Sequence, residues 1–171
     1  MATLRQAFEA LDDVLRLPPS SARGYAQRLR AAGVIPATQG SPAQVTADHV
    51  AAILIAIAVG SPLVDDYISL RPGTGGPSFG RVLAGFIDAP HDVFEVTIDT
   101  LAPGATVTFR GQNHGMQTVA FYLPSPPPRP SFNRDVRFGP DIFIRLHAAL
   151  ASAPEVRAGR PRLRDRYSRK H

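Results

Sequence analysis

Between Ser20 and Ala32 the chain sets Arg23, Arg28 and Arg30 among Ser20, Ser21 and Gln27, and the stretch contains no acidic residue. A guanidinium is permanently charged and presents a planar fork of N–H donors, which matches phosphate oxygens and the O6/N7 edge of guanine. A glutamine amide matches the N6/N7 edge of adenine. Arg23, early in the stretch, is the best placed for a bidentate base contact, and Gln27 is the candidate for adenine. Arg28 and Arg30 suit backbone phosphates. Ser20 and Ser21 have hydroxyls that bond phosphate, base or a free helix terminus. The chemistry implied is recognition of a polyanion, and the plain alternative for each arginine is an ordinary solvated face.

A second basic group lies at the C-terminus. From Glu155 onward seven Lys/Arg stand against two acidic residues, so the net charge of +5 belongs entirely to the tail. There Arg160, Arg162, Arg164 and Arg166 are spaced by Pro, Leu and Asp without an apolar face, the pattern of a solvated arm that finds polyanions.

The elements that must position the first group are short helices. Thr3 is a good N-cap for a helix in which Leu4, Ala7, Phe8, Leu11, Val14 and Leu15 recur at three- and four-residue spacing, with Arg5, Glu9 and Asp12 facing away. The pattern is also compatible with a break near Glu9–Leu11. Leu17-Pro18-Pro19 makes a corner. Ala22, Tyr25, Ala26, Leu29 and Ala32 form the inward face of the next helix, which Gly33 stops as a left-handed cap. The outer face then holds Ser20, Ser21, Arg23, Gly24, Gln27, Arg28 and Arg30. The polar stretch 37–44 is read as a wing or a plain loop. Thr46 caps a third helix, Ala47 to Val59, apolar nearly all round, with Asp48 at its positive end and His49 as a polar boundary residue. Such a helix must be buried, centrally or between subunits, so a homo-oligomer is expected, with a monomer as the alternative.

Beyond residue 60 the chain is rich in its 17 prolines and 14 glycines. A segment from Ser61 to Leu70 leads to the loop RPGTGGPSFG and a helix over Ser78–Ile87. The alternation in Val93–Asp99 and Ala105–Arg110 around Ala102-Pro103-Gly104 predicts a hairpin, and Gln117–Leu123 a third strand. The run PSPPPRP, residues 124–130, reads as a stiff polyproline connector or as a peptide ligand. Gly139-Pro140-Asp141 opens a last helix through Leu150.

Residues 11–36, LDDVLRLPPSSARGYAQRLRAAGVIP, resemble the helix-turn-helix and winged-helix families in the leucine-corner-serine entry and the Leu29-Arg30-Ala31-Ala32-Gly33-Val34-Ile35 exit. The resemblance covers 26 of the 171 residues. It departs from the family in Arg16, where a turn glycine is common, and in Gly24 within the second helix. It implies binding to double-stranded DNA, usually as a dimer, through Ser20, Ser21, Arg23, Gln27, Arg28 and Arg30. The order of a DNA reader, an apolar helix and a small β-rich end is also similar to phage DNA-handling proteins such as small terminase subunits.

Other chemistry is poorly supplied. With no cysteine there is neither a disulfide nor a thiolate-ligated zinc site. His49, His91, His114, His147 and His171 form no HExxH pair, so no metal is expected. His91 with Asp92 and Asp99, or Asn113 with His114, are read as strand-end and turn residues. RPGTGGPSFGR lacks the GK[ST] end of a phosphate loop, and no GxSxG elbow occurs. The N-terminus, acidic and amphipathic, is unlike a secretory leader, and the apolar run Val50–Val59 is too short for a bilayer. The expectation is therefore an α+β protein: a helix-turn-helix domain over 1–60, a mixed domain with a small antiparallel sheet over 61–153, and an arginine-rich tail over 154–171. Its function would be non-enzymatic and cofactor-free, a cytoplasmic transcriptional regulator or phage-related DNA-handling factor without membrane contact. The alternative is an oligomeric interaction module in which the helix-turn-helix is purely structural.

Overall fold

A computed structural model describes residues 2–35, 44–111, 113–125 and 134–153. The predicted wing or loop at 37–43, most of the proline run (126–130) and the basic tail lie outside the described residues. Among those described, the protein is α+β, with six α-helices and a five-stranded antiparallel sheet.

Helix α1 (Leu4–Val14) is unbroken. It begins in a capping box: Thr3 Oγ1 accepts from the Gln6 N–H at 3.4 Å while the Thr3 N–H donates to Gln6 Oε1 at 2.8 Å. Residues 15–20 lead to α2 (Ser21–Ala31), a longer connection than the 3–4 residues of a typical helix-turn-helix turn. Two of its residues are left-handed, Arg16 at φ 53° and Ser20 at φ 70°. Gly33 (φ 78°) stops α2 as its spacing predicts. Helix α3 (Ala47–Val59) has a capping box of its own, in which Thr46 accepts from the His49 N–H and His49 Nδ1 accepts from the Thr46 N–H, both at 3.3 Å. A 3-10 turn (Ser61–Leu63) then leads into α4 (Val64–Ser69).

The first residues of the predicted glycine-rich loop are a strand, β1 (Arg71–Pro72), and α5 (Phe79–Asp88) follows. The hairpin is β2 (Val93–Asp99) with β3 (Gly104–Arg110), the third strand is β4 (Met116–Tyr122), and β5 (Asp135–Phe138) precedes α6 (Pro140–Ala151). The order across the sheet is β1-β4-β3-β2-β5. Val96 and Ile98 of β2 pair with Val107 and Ala105 of β3 and with Phe138 and Val136 of β5, which lines one face with apolar side chains. Thr97, Thr106, Thr108 and Thr118 belong to the opposite face, where the Thr108 and Thr118 hydroxyls are bonded at 3.1 Å.

Helix α5 covers the apolar face. Phe79 meets Phe121 at 5.6 Å between ring centroids, and Phe86 meets Phe109 at 6.1 Å and Phe143 of α6 at 6.2 Å. Helix α3 packs behind α5 and also touches α2 and α4, which explains why Val50 through Ala56 are all buried. The chain itself thus covers Val50 through Ala56 of this apolar helix, while Ile57, Ala58 and Val59 are half-buried. Helix α1 packs on α2 and on the distant α6. The buried side chains form one cluster from Leu4 to Leu146, continuous across residue 60.

Candidate nucleic-acid interface

The inward face of α2 is Ala22, Ala26 and Leu29, each fully buried against α1 and α3. Small residues at 22 and 26 let the helices approach closely. Turning by 100° per residue from that face divides the six predicted contact residues into two flanks. Ser20, Arg23, Gln27 and Arg30 point toward the α1 side and the open surface. Ser21 and Arg28 point to the other side.

Arg23 and Gln27 are exposed. Arg28 is exposed but tethered: its guanidinium lies 4.6 Å from the centre of the Tyr25 ring, and its Nε donates to Ser61 Oγ at 3.1 Å. Ser20 is the N-cap residue, but its side chain makes no cap bond, and Ser21 Oγ donates back to the Pro18 carbonyl at 2.7 Å. The hydroxyl of Ser21, the first residue of α2, is thus engaged by the preceding corner. Among the described residues no carboxylate forms an ion pair with Arg23, Arg28 or Arg30; the three salt bridges are Arg5–Glu9, Arg81–Asp48 and Arg145–Asp13. Arg160, Arg162, Arg164 and Arg166 lie outside the described residues.

Two placements differ from the sequence reading. Asp12 does not simply face away. Its Oδ2 accepts from the Ser20 N–H at 2.7 Å and its Oδ1 from the Ala22 N–H at 2.8 Å, so a carboxylate on α1 caps α2 from ten residues away. This replaces the missing serine cap and supplies negative charge at the positive end of the helix. Arg30 is not wholly on the outer face. It is half-buried, and its Nε is the buried side-chain nitrogen without a hydrogen-bond partner among the described residues. An unsatisfied buried donor costs about 1–3 kcal/mol.

Between α1 and α2 lies a groove of about 560 Å³ with Leu4 and Phe8 as its apolar floor and Arg5, Glu9, Asp12, Ser20, Arg23 and Arg30 around it. Both carboxylates are engaged, Glu9 with Arg5 at 2.9 Å and Asp12 with the α2 backbone. Asp12 keeps its charge, so Arg5, Arg23 and Arg30 stand against Glu9 and Asp12 and leave the groove with an excess of one positive charge. Nearby, burial holds the His49 imidazole below its ordinary pKa; Asp48 acts in the opposite sense and Arg30 adds to the depression.

The sequence reading missed Arg5 and Asp12 as parts of this surface. A signal for Asp12 existed, since a carboxylate just before a proline corner can reach the next helix terminus, but only the folded hairpin selects it. Among the described residues no group of three His, Asp or Glu is arranged to hold a metal, and no helix is long and apolar enough to cross a membrane. Family models, curated proteins and solved structures alike include no match to this chain.

Proposed function

We propose that the protein is a non-enzymatic duplex-DNA-binding protein whose α2 is the groove-reading element. The observation that carries this reading is the exposed side of α2, where Arg23, Gln27 and Arg28 stand without a carboxylate partner among the described residues. A helix of this kind fits the major groove, about 12 Å wide, with Arg23 and Gln27 toward base edges and arginines on both flanks toward the two phosphate backbones. Arg28, held over Tyr25, pays little side-chain entropy on contact with phosphate.

Gel retardation of a random duplex tests it. Affinity is expected to fall steeply with salt, and Arg23→Ala with Arg28→Ala to lower the affinity and, through the phosphate contact of Arg28, the log–log salt slope by about 1. Deleting residues 157–171 separates the tail, whose loss should weaken binding without changing sequence preference. No salt-sensitive retardation, or a double variant that binds as well as the parent, rejects the reading.

A second reading, an interaction module, has its own support at the sheet edge. Strand β1 pairs only with Phe121 and Tyr122, so no described strand covers Met116–Ala120 of β4 on that side. Beside this edge is a largely apolar groove of about 370 Å³ that includes Phe86, Phe109 and Val119. Failure of duplex binding at every salt concentration would favour it.

A further inference from the structure

We infer that the groove between α1 and α2 is a binding site for a ligand bearing two linked phosphate groups, held by Arg23 and Arg30. Three observations meet there. The groove is of ligand size, about 560 Å³, with an apolar floor at Leu4 and Phe8. Its arginines outnumber its carboxylates, Arg5, Arg23 and Arg30 against Glu9 and Asp12, and both carboxylates are already hydrogen-bonded, Glu9 to Arg5 and Asp12 to the Ser20 and Ala22 N–H groups. The Nε of Arg30 is buried with no acceptor among the described residues, although its side chain borders an open groove. That nitrogen is closed to solvent in this conformation, so an incoming oxygen reaches it once the Arg30 side chain turns its guanidinium into the groove that it borders.

The spacing selects the ligand class. Arg23 and Arg30 are seven residues apart on one stripe of α2, roughly 10 Å along the axis at about 1.5 Å per residue. Two side chains of arginine length can close over that span on a diphosphate, whereas a single small anion would meet only one of them. Arg5, at the groove's rim, adds to the field but is held by Glu9. The same chemistry is offered by adjacent phosphates of a nucleic-acid strand and by a small diphosphate compound. The site needs only phosphate oxygens in the groove, so it stands independently of α2 reading a duplex.

The test uses the full chain and inorganic pyrophosphate, followed through the Arg30 Nε–Hε resonance in proton–nitrogen NMR spectra. Pyrophosphate should shift that resonance saturably, more tightly than orthophosphate, and beyond any effect of sodium chloride at equal ionic strength. Arg23→Ala, an exposed position whose loss leaves the core intact, should weaken pyrophosphate by about tenfold, as expected for one charge-assisted contact. Arg30→Gln removes the reporter, so pyrophosphate is followed there through the backbone amide resonances of α1 and α2, which should shift saturably in the parent and no longer in the variant, the same spectra checking that it folds. A short random duplex separates the sources. If it competes with pyrophosphate, the site holds strand phosphates; if it leaves the resonance unmoved while pyrophosphate shifts it, the site serves a small diphosphate ligand. Either result upholds the site. A shift no larger than that from sodium chloride, or unchanged affinity in Arg23→Ala, overturns it, whatever the gel-retardation outcome.

Discussion

His49 illustrates how the hydrogen bond and the burial of a single side chain favour the same protonation state. As the third residue of α3 its Nδ1 accepts the Thr46 N–H, which requires the neutral ring. Burial, reinforced by Arg30 and opposed by Asp48, keeps its pKa below the ordinary 6.5 and so favours that neutral form. The sign for stability follows directly. The unfolded chain takes up this proton more readily than the folded one, so the contribution is complete above the ordinary pKa and is lost as pH falls from there toward the lower folded value. His49→Gln retains a capping-box acceptor and cannot titrate. Melting temperatures across about pH 5 to 7 should therefore decline more gently in the variant; parallel curves would show that His49 plays no part in the acid response. Asp12 makes the complementary point about legibility. Its charge and helical position were readable, but its use as the cap of α2 depends on how α1 and α2 lie together, and period alone assigned it to solvent.

At the scale of elements, helix starts and stops were the most readable features because they are local. Thr3 and Thr46 cap, Gly33 terminates, and Gly139-Pro140-Asp141 opens α6. The turn between α1 and α2 was readable in a less obvious way. The resemblance places a glycine where this chain has Arg16, and Arg16 adopts the left-handed conformation that a glycine would take freely. The Arg16 N–H still reaches the Asp13 carbonyl at 3.2 Å and the Leu17 N–H the Asp12 carbonyl at 2.8 Å, so the backbone geometry is imposed by the turn. Arg16→Gly should accordingly be neutral or stabilising, by up to about 1 kcal/mol, whereas Arg16→Val should cost about 1–2 kcal/mol. Urea midpoints of the two variants measure this, and a glycine variant clearly weaker than the valine one would refute it. Strands β1 and β5 escaped the sequence reading for a physical reason. Two and four residues are too few to show alternation, and each exists because a longer strand offers it an edge, β4 to β1 and β2 to β5.

Across the whole molecule, one cluster of buried side chains joins the N-terminal helices to the sheet through α5 and α6. Ile53, fully buried in α3, lies in that cluster. Ile53→Ala should cost about 2–5 kcal/mol and lower the stability of helices and sheet together. Unfolding followed by far-ultraviolet circular dichroism and by tyrosine fluorescence should stay coincident in parent and variant. Separation of the two transitions would mean that residues 1–60 and 61–153 fold as independent units. The α+β class, the order of helices and hairpin, the buried character of α3 and the arginine-bearing side of α2 were all set by period, caps and charge along the chain, because each is decided within a few residues. The α1–α2 groove, the cap that Asp12 provides, the half-burial of Arg30, the outer strands and the chain's own cover over α3 came only with the tertiary structure. Each is a contact between segments far apart in sequence, where shape and distance choose among partners that local chemistry leaves equal.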